Sequence, residues 1–474
     1  MGRTSNTGGS GGHVILLPYP GQGHVNPMIH FARQLASRGL RATLVTTVYL
    51  SNAANLGPTI GRSVHHDVIS DGFDDTGRNA DGGRPLNDYL ERMQEVGSKT
   101  LSALIDKYKT TTYPVDCVVY EPFLPWPLDV AKEHGLCAAP FFTQPCAVDY
   151  VYYNIRQGLL KLPVNSWPVS IPGLPLLYAR DVPSFANDPT SDYVDLLGML
   201  VNQFSNTEKA DCLLINTFYE LEKEVVDIFS RVYPILTIGP TVPSKSNDDD
   251  QEYGLDLFRH DASISTDWVA TKPPRSVVYV AFGSMAKFTH AQMEELALGL
   301  KQTNYYFLWV IRDAEQAKLP QTFLENLGDK ALVVSWGPQV KVLASEAVGC
   351  FVTHSGWNST VEALRFGVPM VAMPIWSDQP MNAFLVENVW KVGKRVKADE
   401  EGEGNEGIVG RNEVERCVRE VMEGESGEEM KRNARKWRDL AVEAVGGGGS
   451  SFRNIDEFVA KVMCYSNNRC RSDV

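Results

Sequence analysis

Several features are scarce or missing in this sequence, and each absence excludes a class of protein. No apolar run among the 474 residues approaches the ~20 residues that a membrane-spanning helix needs. The N-terminal stretch MGRTSNTGGSGG is polar and lacks the apolar core of a secretion signal. The eight cysteines are scattered with no CxxC pair, which argues against a zinc site or a disulfide framework and favours reduced, buried thiols. We therefore expect a cytoplasmic protein without a membrane span.

Positive charge is also scarce. The chain has 45 Lys and Arg against 58 Asp and Glu, a formal net charge of −13. This balance argues against nucleic acid or an anionic membrane as the main partner, so any phosphate group would be held by local dipoles rather than by a basic field. A hydrophobic content of 43% is typical of a globular protein, and the length predicts two domains.

Apolar strand-like segments alternate with amphipathic helical ones in both halves of the chain. This alternation predicts an α/β protein in which parallel sheets are covered by helices on both faces. In the first half, strands are expected at 13–19, 41–47, 117–120, 138–142, 212–216 and 235–238, helices at 25–38, 89–108 and 193–204, and an irregular Pro-rich loop at 162–185. In the second half, strands are expected at 277–282, 306–311, 332–335, 350–353 and 370–373, and helices at 291–301, 358–366, 382–388, 413–422 and 452–464.

A polar, acidic stretch separates the two patterns. Residues 243–254 read PSKSNDDDQEYG between apolar segments. We predict a first domain at 1–247, a linker at 248–256, a second domain at 257–450, and a terminal helix at 451–474 that packs back on the first domain. Two doubly wound domains that face each other bind ligands in the cleft between them, at the carboxyl ends of their strands.

The second domain contains a candidate phosphate site. The strand at 350–353 runs into His354, and a helix is predicted to begin near Asn358. We expect Asn358, Ser359 and Thr360 to cap this helix, with Glu362 in its first turn. The free backbone N–H groups and the positive end of the helix dipole would bind an anion.

One long motif resembles a known family. The stretch from Trp336 to Gln379 contains WGPQ, HSGWNSTVE and DQ in order, and it resembles the C-terminal signature box of plant secondary-product UDP-sugar-dependent glycosyltransferases. PGQGHVNPM at 20–28 and VVYVAFGSMA at 277–286 extend the resemblance over most of the chain, and FLPW at 123–126 is similar to the branch that glucosylates small carboxylic acids, hormones and terpenoid or steroid aglycones. The resemblance implies the GT-B fold, two facing Rossmann-like domains with a deep cleft between them.

The resemblance also implies a donor site with a separate part for each portion of UDP-glucose. In this arrangement Trp336 stacks on uracil, Gln339 and Glu362 bind the ribose hydroxyls, His354, Asn358, Ser359 and Ser284 bind the diphosphate, and Trp357, Asp378 and Gln379 bind the hexose. A glutamine at the last position of the box is associated in the family with glucose.

The catalytic residues implied by the resemblance lie in the first half. His24 matches the family's catalytic histidine, and a neutral imidazole at a helix N-terminus is a suitable general base. Glu121 stands where family members carry Asp, so the chain departs from the family at a catalytic position. We expect Glu121 to pair with His24; the alternative is a carboxylate without a catalytic role.

The acceptor is the part of the function about which the sequence says least. Six residues are candidates to line its pocket, although these side chains could equally belong to the core: Tyr19, Phe123, Phe142, Tyr150, Met199 and Phe204.

The expected reaction is transfer of glucose with inversion, from UDP-glucose to a hydroxyl or carboxyl group of a small lipophilic plant metabolite. It needs no metal or other cofactor and is carried out by a monomer. Asp248–Asp250 superficially matches a metal-binding DxD but lies in the linker, and GQGHVN at 21–26 lacks the third glycine of a dinucleotide fingerprint. Two alternatives stay open: a UDP-sugar hydrolase or epimerase on the same fold, and a non-catalytic binder of UDP-sugar or aglycone.

Overall fold

The fold is described from a computed structural model of the chain. The structure describes residues 11–78, 84–187, 194–243, 263–325, 328–398 and 407–472. The predicted linker at 248–256, which includes the DxD-like Asp248–Asp250, lies outside these residues.

The first domain is built on an eight-stranded sheet with the order β3-β4-β2-β1-β5-β6-β7-β8. Its strands pair in parallel except for β3, which is antiparallel to β4. The strands are β1 His13–Leu17, β2 Arg41–Thr47, β3 Thr59–Ile60, β4 Val64–Ile69, β5 Cys117–Tyr120, β6 Cys137–Phe142, β7 Leu213–Ile215 and β8 Ile235–Thr237.

The second domain is built on a six-stranded parallel sheet with the order β11-β10-β9-β12-β13-β14. The strands are β9 Val277–Ala281, β10 Tyr306–Val310, β11 Ala331–Val334, β12 Val348–Thr353, β13 Met370–Ala372 and β14 Gly393–Arg395.

Helices cover both sheets. Those that follow strands of the first sheet are α1 Gln22–Ser37, α2 Val48–Ala53, α3 Leu86–Lys109, α4 Trp126–Glu133, α5 Cys146–Arg156, α6 Ser184–Asn187, α7 Val194–Asn202 and α8 Lys223–Phe229. Those of the second half are α9 Ser263–Ala270, α10 His290–Thr303, α11 Asp313–Gln316, α12 Gln321–Glu325, α13 Gln339–Leu343, α14 Trp357–Phe366, α15 Gln379–Phe384, α16 Arg411–Met422, α17 Gly424–Val445 and α18 Ser450–Ser472.

The strand β1 shows why the sheet needs helices on both faces. All five of its residues are buried. Val14 and Leu16 belong to the apolar core on one face, whereas Ile15 and Leu17 belong to the core on the other. Successive side chains of a strand point to opposite faces, so an unbroken apolar run is stable only when both faces are covered.

The terminal helix α18 packs on the first domain. Phe458 and Val462 are fully buried in the same core as Val14. Polar contacts fix the position of the helix: Asn454 Nδ2 donates to the backbone oxygen of Thr237 at 2.9 Å, and the Tyr465 hydroxyl donates to Asp211 at 2.7 Å. The chain therefore passes from the second domain back to the first before it ends.

The predicted positions of the parallel strands with apolar sequences agree closely with those in the structure. Among the elements that were not predicted from the sequence are β4, whose sequence VHHDVI contains three polar residues, and the helices α4, α5 and α17. In α5, aromatic and β-branched residues dominate, which lowers intrinsic helix propensity, and the helix is instead stabilised by tertiary packing of its buried face.

Candidate active site

Three residues from neighbouring strand ends of the first sheet meet at one point. His24 lies in the first turn of α1, which follows β1, while Glu121 follows β5 and Thr143 follows β6. These three strands are adjacent in the sheet, so their carboxyl ends bring the three side chains together. His24 Nδ1 lies 3.2 Å from Glu121 Oε2, and Glu121 is almost completely buried.

Thr143 is a member of this cluster that was not predicted from the sequence. Its Oγ1 lies 3.0 Å from His24 Nδ1, and the hydroxyl donates to both carboxylate oxygens of Glu121, at 3.2 and 3.3 Å. A single buried threonine at a strand end has no distinguishing sequence pattern, and only the strand order shows its neighbours.

Aromatic rings flank the histidine. The rings of Tyr19 and Phe123 meet the imidazole edge-on, with centroids 5.4 and 5.1 Å away. Tyr19 accepts a hydrogen bond from Arg78 at 3.3 Å. One side of the imidazole is thus apolar, which suits a lipophilic acceptor.

A cavity of about 620 Å³ lies beyond Phe123, between α3, α5 and α7. Phe123 and Met199, both predicted acceptor residues, line it. The lining is mainly apolar and includes Leu90, Trp126, Ile155 and Leu197.

Three other predicted acceptor residues belong to the core instead. Phe142, Tyr150 and Phe204 are 1, 6 and 3% exposed. Phe142 stacks on Phe204, and both Phe204 and Tyr150 pack against Phe229. Their rings are buried in an aromatic cluster, which favours the alternative that they belong to the core; their role in lining the acceptor pocket stays a prediction.

The candidate phosphate site in the second domain has the predicted strand–turn–helix form, but its cap differs. Helix α14 begins at Trp357, one residue before the predicted start, and Gly356 is its N-cap with no side-chain capping bond. The prediction that Asn358, Ser359 and Thr360 cap the helix is wrong. Because no side chain caps this end, its first backbone N–H groups remain available to an anion.

His354 lies between two glycines. A Cβ on Gly283 would come within 3.0 Å of the imidazole, and one on Gly356 within 2.5 Å of its Nε2, so any side chain at either position would clash. Gly283 also has a φ of +72°, a conformation that favours glycine. Desolvation lowers the pKa of His354 to about 4, so the imidazole is neutral at pH 7. The neighbouring Ser284 is exposed on the loop that carries Gly283.

The predicted ribose-binding residues are already linked to each other. Gln339 Nε2 donates to Glu362 Oε2 at 2.7 Å and to Ser359 Oγ at 3.0 Å. Trp336, predicted to stack on the base, is half-buried in the loop that leads to Gln339. Gln339, Ser359 and Glu362 thus form one hydrogen-bonded group between α13 and α14.

Trp357 does not lie where a sugar-binding side chain would be expected. Its side chain is 3% exposed, and its Nε1 donates to the backbone oxygen of Asn216 in the first domain at 2.7 Å. This burial contradicts a hexose contact by the indole. The side chain is a buried link between the two domains.

Asp378 and Gln379 lie at the start of α15. Gln379 Oε1 accepts from the backbone N–H groups of Ile375 and Trp376, so its amide nitrogen remains as a donor. Asp378 Oδ2 accepts from Asn382 at 2.7 Å. Burial raises the pKa of Asp378, while the Asn382 hydrogen bond and the charge of His24 oppose this shift.

A hydrogen bond at a helix-internal proline joins the two helix N-termini. Pro27 lies inside α1 and has no N–H, so it cannot bond to the carbonyl four residues earlier, that of Gly23. Gly23 O instead accepts from Asn358 Nδ2 at 2.7 Å. The first turn of α1, which carries His24, is thereby tied to the first turn of α14.

A buried carboxyl group lies behind the site without a partner. Asp149 is 1% exposed, and neither of its carboxyl oxygens has a hydrogen-bond partner among the described residues. Burial raises the pKa of Asp149 well above its usual range, and the carboxyls of Glu222, Glu121 and Asp378 raise it further. Burial and the neighbouring carboxyls thus both favour the protonated form of Asp149.

Comparisons with known proteins decide which family the chain belongs to. Residues 262–438 match the family model "UDP-glucoronosyl and UDP-glucosyl transferase", and residues 12–56 match "Glycosyltransferase, N-terminal domain". The chain is 48% identical to UDP-glycosyltransferase 74F2 of Arabidopsis thaliana over 95% of its own length and 98% of that protein. The chain belongs to the plant UDP-glycosyltransferase family.

A second relative and a solved structure agree with this assignment. This UDP-glycosyltransferase is 47% identical to flavonol 7-O-beta-glucosyltransferase UGT74F1 of A. thaliana, over 95% of its own length and 98% of the relative's. The crystal structure of Os79 from O. sativa in complex with UDP superposes with a TM-score of 0.87 at 39% identity, covering 95% of this chain and 100% of Os79. The predicted family, the enzyme class and the two-domain GT-B fold are confirmed.

The described residues of this UDP-glycosyltransferase were searched for membrane-spanning helices, metal-binding clusters and disulfides. None of their helices is both long and apolar enough to cross a bilayer. Within the same residues, no group of three or more His, Cys, Asp or Glu side chains is placed to hold a metal ion. The seven cysteines with described side chains carry free thiols, and all but Cys464 are buried.

Proposed function

We propose that this enzyme transfers glucose from UDP-glucose to a hydroxyl or carboxyl group of a small lipophilic plant metabolite, with inversion at the anomeric carbon. The observation that carries the proposal is the His24–Glu121 contact of 3.2 Å, joined to the donor-side helix through Gly23 and Asn358. His24 removes the proton of the acceptor hydroxyl, and Glu121 stabilises the imidazolium that forms. The deprotonated oxygen attacks C1 on the face opposite UDP, whose diphosphate is the leaving group.

The donor is bound by the second domain in the proposal. Trp336 stacks on uracil, and the linked pair Gln339 and Glu362 accepts hydrogen bonds from the ribose. The uncapped N-terminus of α14, with neutral His354 donating one N–H, stabilises the charge that develops on the diphosphate. Ser284, Asn358 and Ser359 complete this group, while Asp378 and Gln379 bind the hexose.

The acceptor is bound by the first domain. Its reacting group lies near His24, between Tyr19 and Phe123, and its apolar body occupies the cavity lined by Phe123 and Met199. We assign residues 1–247 to the acceptor domain and 257–450 to the donor domain, joined by 248–256. The proposed enzyme is a cytoplasmic monomer that needs no metal, so EDTA is expected to leave its rate unchanged.

Incubation with UDP-glucose and a panel of phenols, alcohols and carboxylic acids, read by mass spectrometry, tests the proposal. A product heavier by one hexose, formed together with UDP, is the expected result. UDP released equally with and without any acceptor would instead indicate a hydrolase. Conversion of the sugar without UDP release would indicate an epimerase, and binding without turnover a non-catalytic binder.

A further inference from the structure

The hydroxyl of Thr143 lies at the centre of the His24–Glu121 contact. It is 3.0 Å from His24 Nδ1 and 3.2 and 3.3 Å from the two carboxylate oxygens of Glu121. Thr143 is 6% exposed, so water does not readily replace this hydroxyl. Resting on the proposed function, we propose that Thr143 is a positioning residue of the transfer reaction, whose hydroxyl fixes the Glu121 carboxylate and the His24 tautomer together.

The count of hydrogens determines the tautomer. A threonine hydroxyl has one proton, and here it is donated to the Glu121 carboxylate, which can only accept. The oxygen of Thr143 therefore presents lone pairs to His24 Nδ1, as does Glu121 Oε2 at 3.2 Å. Two acceptors facing Nδ1 require the proton on that nitrogen. Nε2 is then unprotonated, which is the state a general base needs.

The side chain of glutamate makes this third group necessary. Glu121 has one more rotatable bond than aspartate, and its carboxylate is held by few groups. Among the described residues, its side-chain oxygens form hydrogen bonds or an ion pair only with His24 and Thr143. Because the hydroxyl is nearly equidistant from both oxygens, it fixes the rotation of the carboxylate as well as its position. Without the hydroxyl, the carboxylate and the imidazole would each keep only one hydrogen-bonding partner, the other member of the pair.

A different reading is that the Thr143 hydroxyl binds the donor sugar directly. The two readings differ in which kinetic parameter changes. A donor contact contributes whatever the acceptor is, whereas orientation of the base matters only when the acceptor must lose a proton. An acceptor that is already ionised, such as a carboxylic acid at pH 7, therefore separates them.

The test compares Thr143→Val, which keeps the shape and removes the hydroxyl, with Thr143→Ser, which keeps the hydroxyl. Thr46→Val is the matched control, because Thr46 is a buried threonine of the same sheet whose hydroxyl contacts a different histidine, His66, at 2.9 Å. Each variant is assayed with one alcohol and one carboxylic acid acceptor, and nitrogen-15 NMR of labelled histidine reports the tautomer.

We expect Thr143→Val to lower kcat with the alcohol by about 10- to 100-fold, because a small misplacement of a catalytic group has an effect of this order. The change with the carboxylic acid should be small, the KM for UDP-glucose should be unchanged, and the NMR signals of His24 should shift from Nδ1–H towards a mixture of tautomers. Thr143→Ser and Thr46→Val should behave like the wild type.

Equal losses with both acceptors, or a raised KM for UDP-glucose at unchanged kcat, would overturn the positioning role in favour of a sugar contact. An unchanged tautomer in Thr143→Val would also overturn it. If the wild type glucosylates no acceptor at all, the proposed function fails, and the NMR comparison still decides whether Thr143 fixes the tautomer.

Discussion

Replacement of Glu121 by glutamine or aspartate probes the charge behind His24. Glutamine has the same shape but no charge, and aspartate keeps the charge on a side chain shorter by one methylene. The structure places Glu121 Oε2 3.2 Å from His24 Nδ1, with the glutamate side chain 1% exposed and the histidine side chain 24% exposed. Bulk water therefore screens the interaction only in part.

The expected loss of activity in the two Glu121 variants follows from that distance. With an effective dielectric constant of about 20, opposite unit charges at this separation attract by about 5 kcal/mol. The shorter aspartate would withdraw the carboxylate to about 4.5 Å from the imidazole, where the attraction is about 3.7 kcal/mol. The imidazole becomes charged only as the proton moves, so with transfer about half complete, about half of each energy bears on the barrier. Glutamine should then cost about 2.6 kcal/mol, roughly a hundredfold in kcat, and aspartate about 0.7 kcal/mol, roughly three- to fourfold.

The measurement is kcat and KM for a phenol or alcohol acceptor with saturating UDP-glucose. KM for the donor should not change, because Glu121 lies on the acceptor side. With a carboxylic acid acceptor the losses should shrink, since no proton has to be removed. A glutamine variant as active as the wild type would refute the pairing of Glu121 with His24, and circular dichroism melting would show whether a loss reflects misfolding.

Three further predictions concern buried groups. The raised pKa of Asp149 means that the folded state binds more protons than the unfolded state above pH ~4, so stability falls as pH rises, by up to ~1.4 kcal/mol per pH unit. Asp149→Asn should flatten this slope in urea unfolding at pH 5 and 8, and an unchanged slope contradicts the assignment. For His354 the pH dependence has the opposite direction: because its pKa in the folded state is about 4, stability should rise as the pH increases from 4 to 6.5. The NMR signals of His354 should stay those of a neutral ring at pH 5.5. A titration midpoint of His354 near pH 6.5 disproves this. Trp357→Phe leaves the buried Asn216 carbonyl without its donor and should lower the free energy of unfolding by about 1–3 kcal/mol; no loss would show that water replaces the indole.

The parallel strands were the most predictable part of the fold. Strands β2 and β5 begin and end at the predicted residues, because a run such as CVVY is buried on both faces and its composition alone indicates a strand. The strand β4 could not be predicted in this way. It contains His65, His66 and Asp67, all half-buried, and its register with β2 stabilises it rather than its own composition.

The donor motif was predictable because it is contiguous, whereas the details of the site depend on tertiary contacts. Trp357 stands inside the motif beside Asn358, yet its ring turns into the domain interface. The sequence does not distinguish an aromatic residue that lines a pocket from one that belongs to the core. The structure places three such residues in the core: Phe142, Tyr150 and Phe204. Thr143 became visible only when the strand order brought it beside Glu121.

The bond between Asn358 and Gly23 makes donor binding and domain orientation thermodynamically linked. Asn358 has two amide protons, one given to Gly23 across the cleft, and the other free for the diphosphate in the proposed site. Any shift of this side chain on UDP-sugar binding must change the energy of the contact with the turn that carries His24. This linkage is reciprocal. If donor binding changes the strength of the Asn358–Gly23 contact by a certain factor, formation of that contact changes the affinity for the donor by the same factor. Pro27, which contacts neither substrate in the proposal, leaves the Gly23 carbonyl open for this contact between the acceptor half and the donor half.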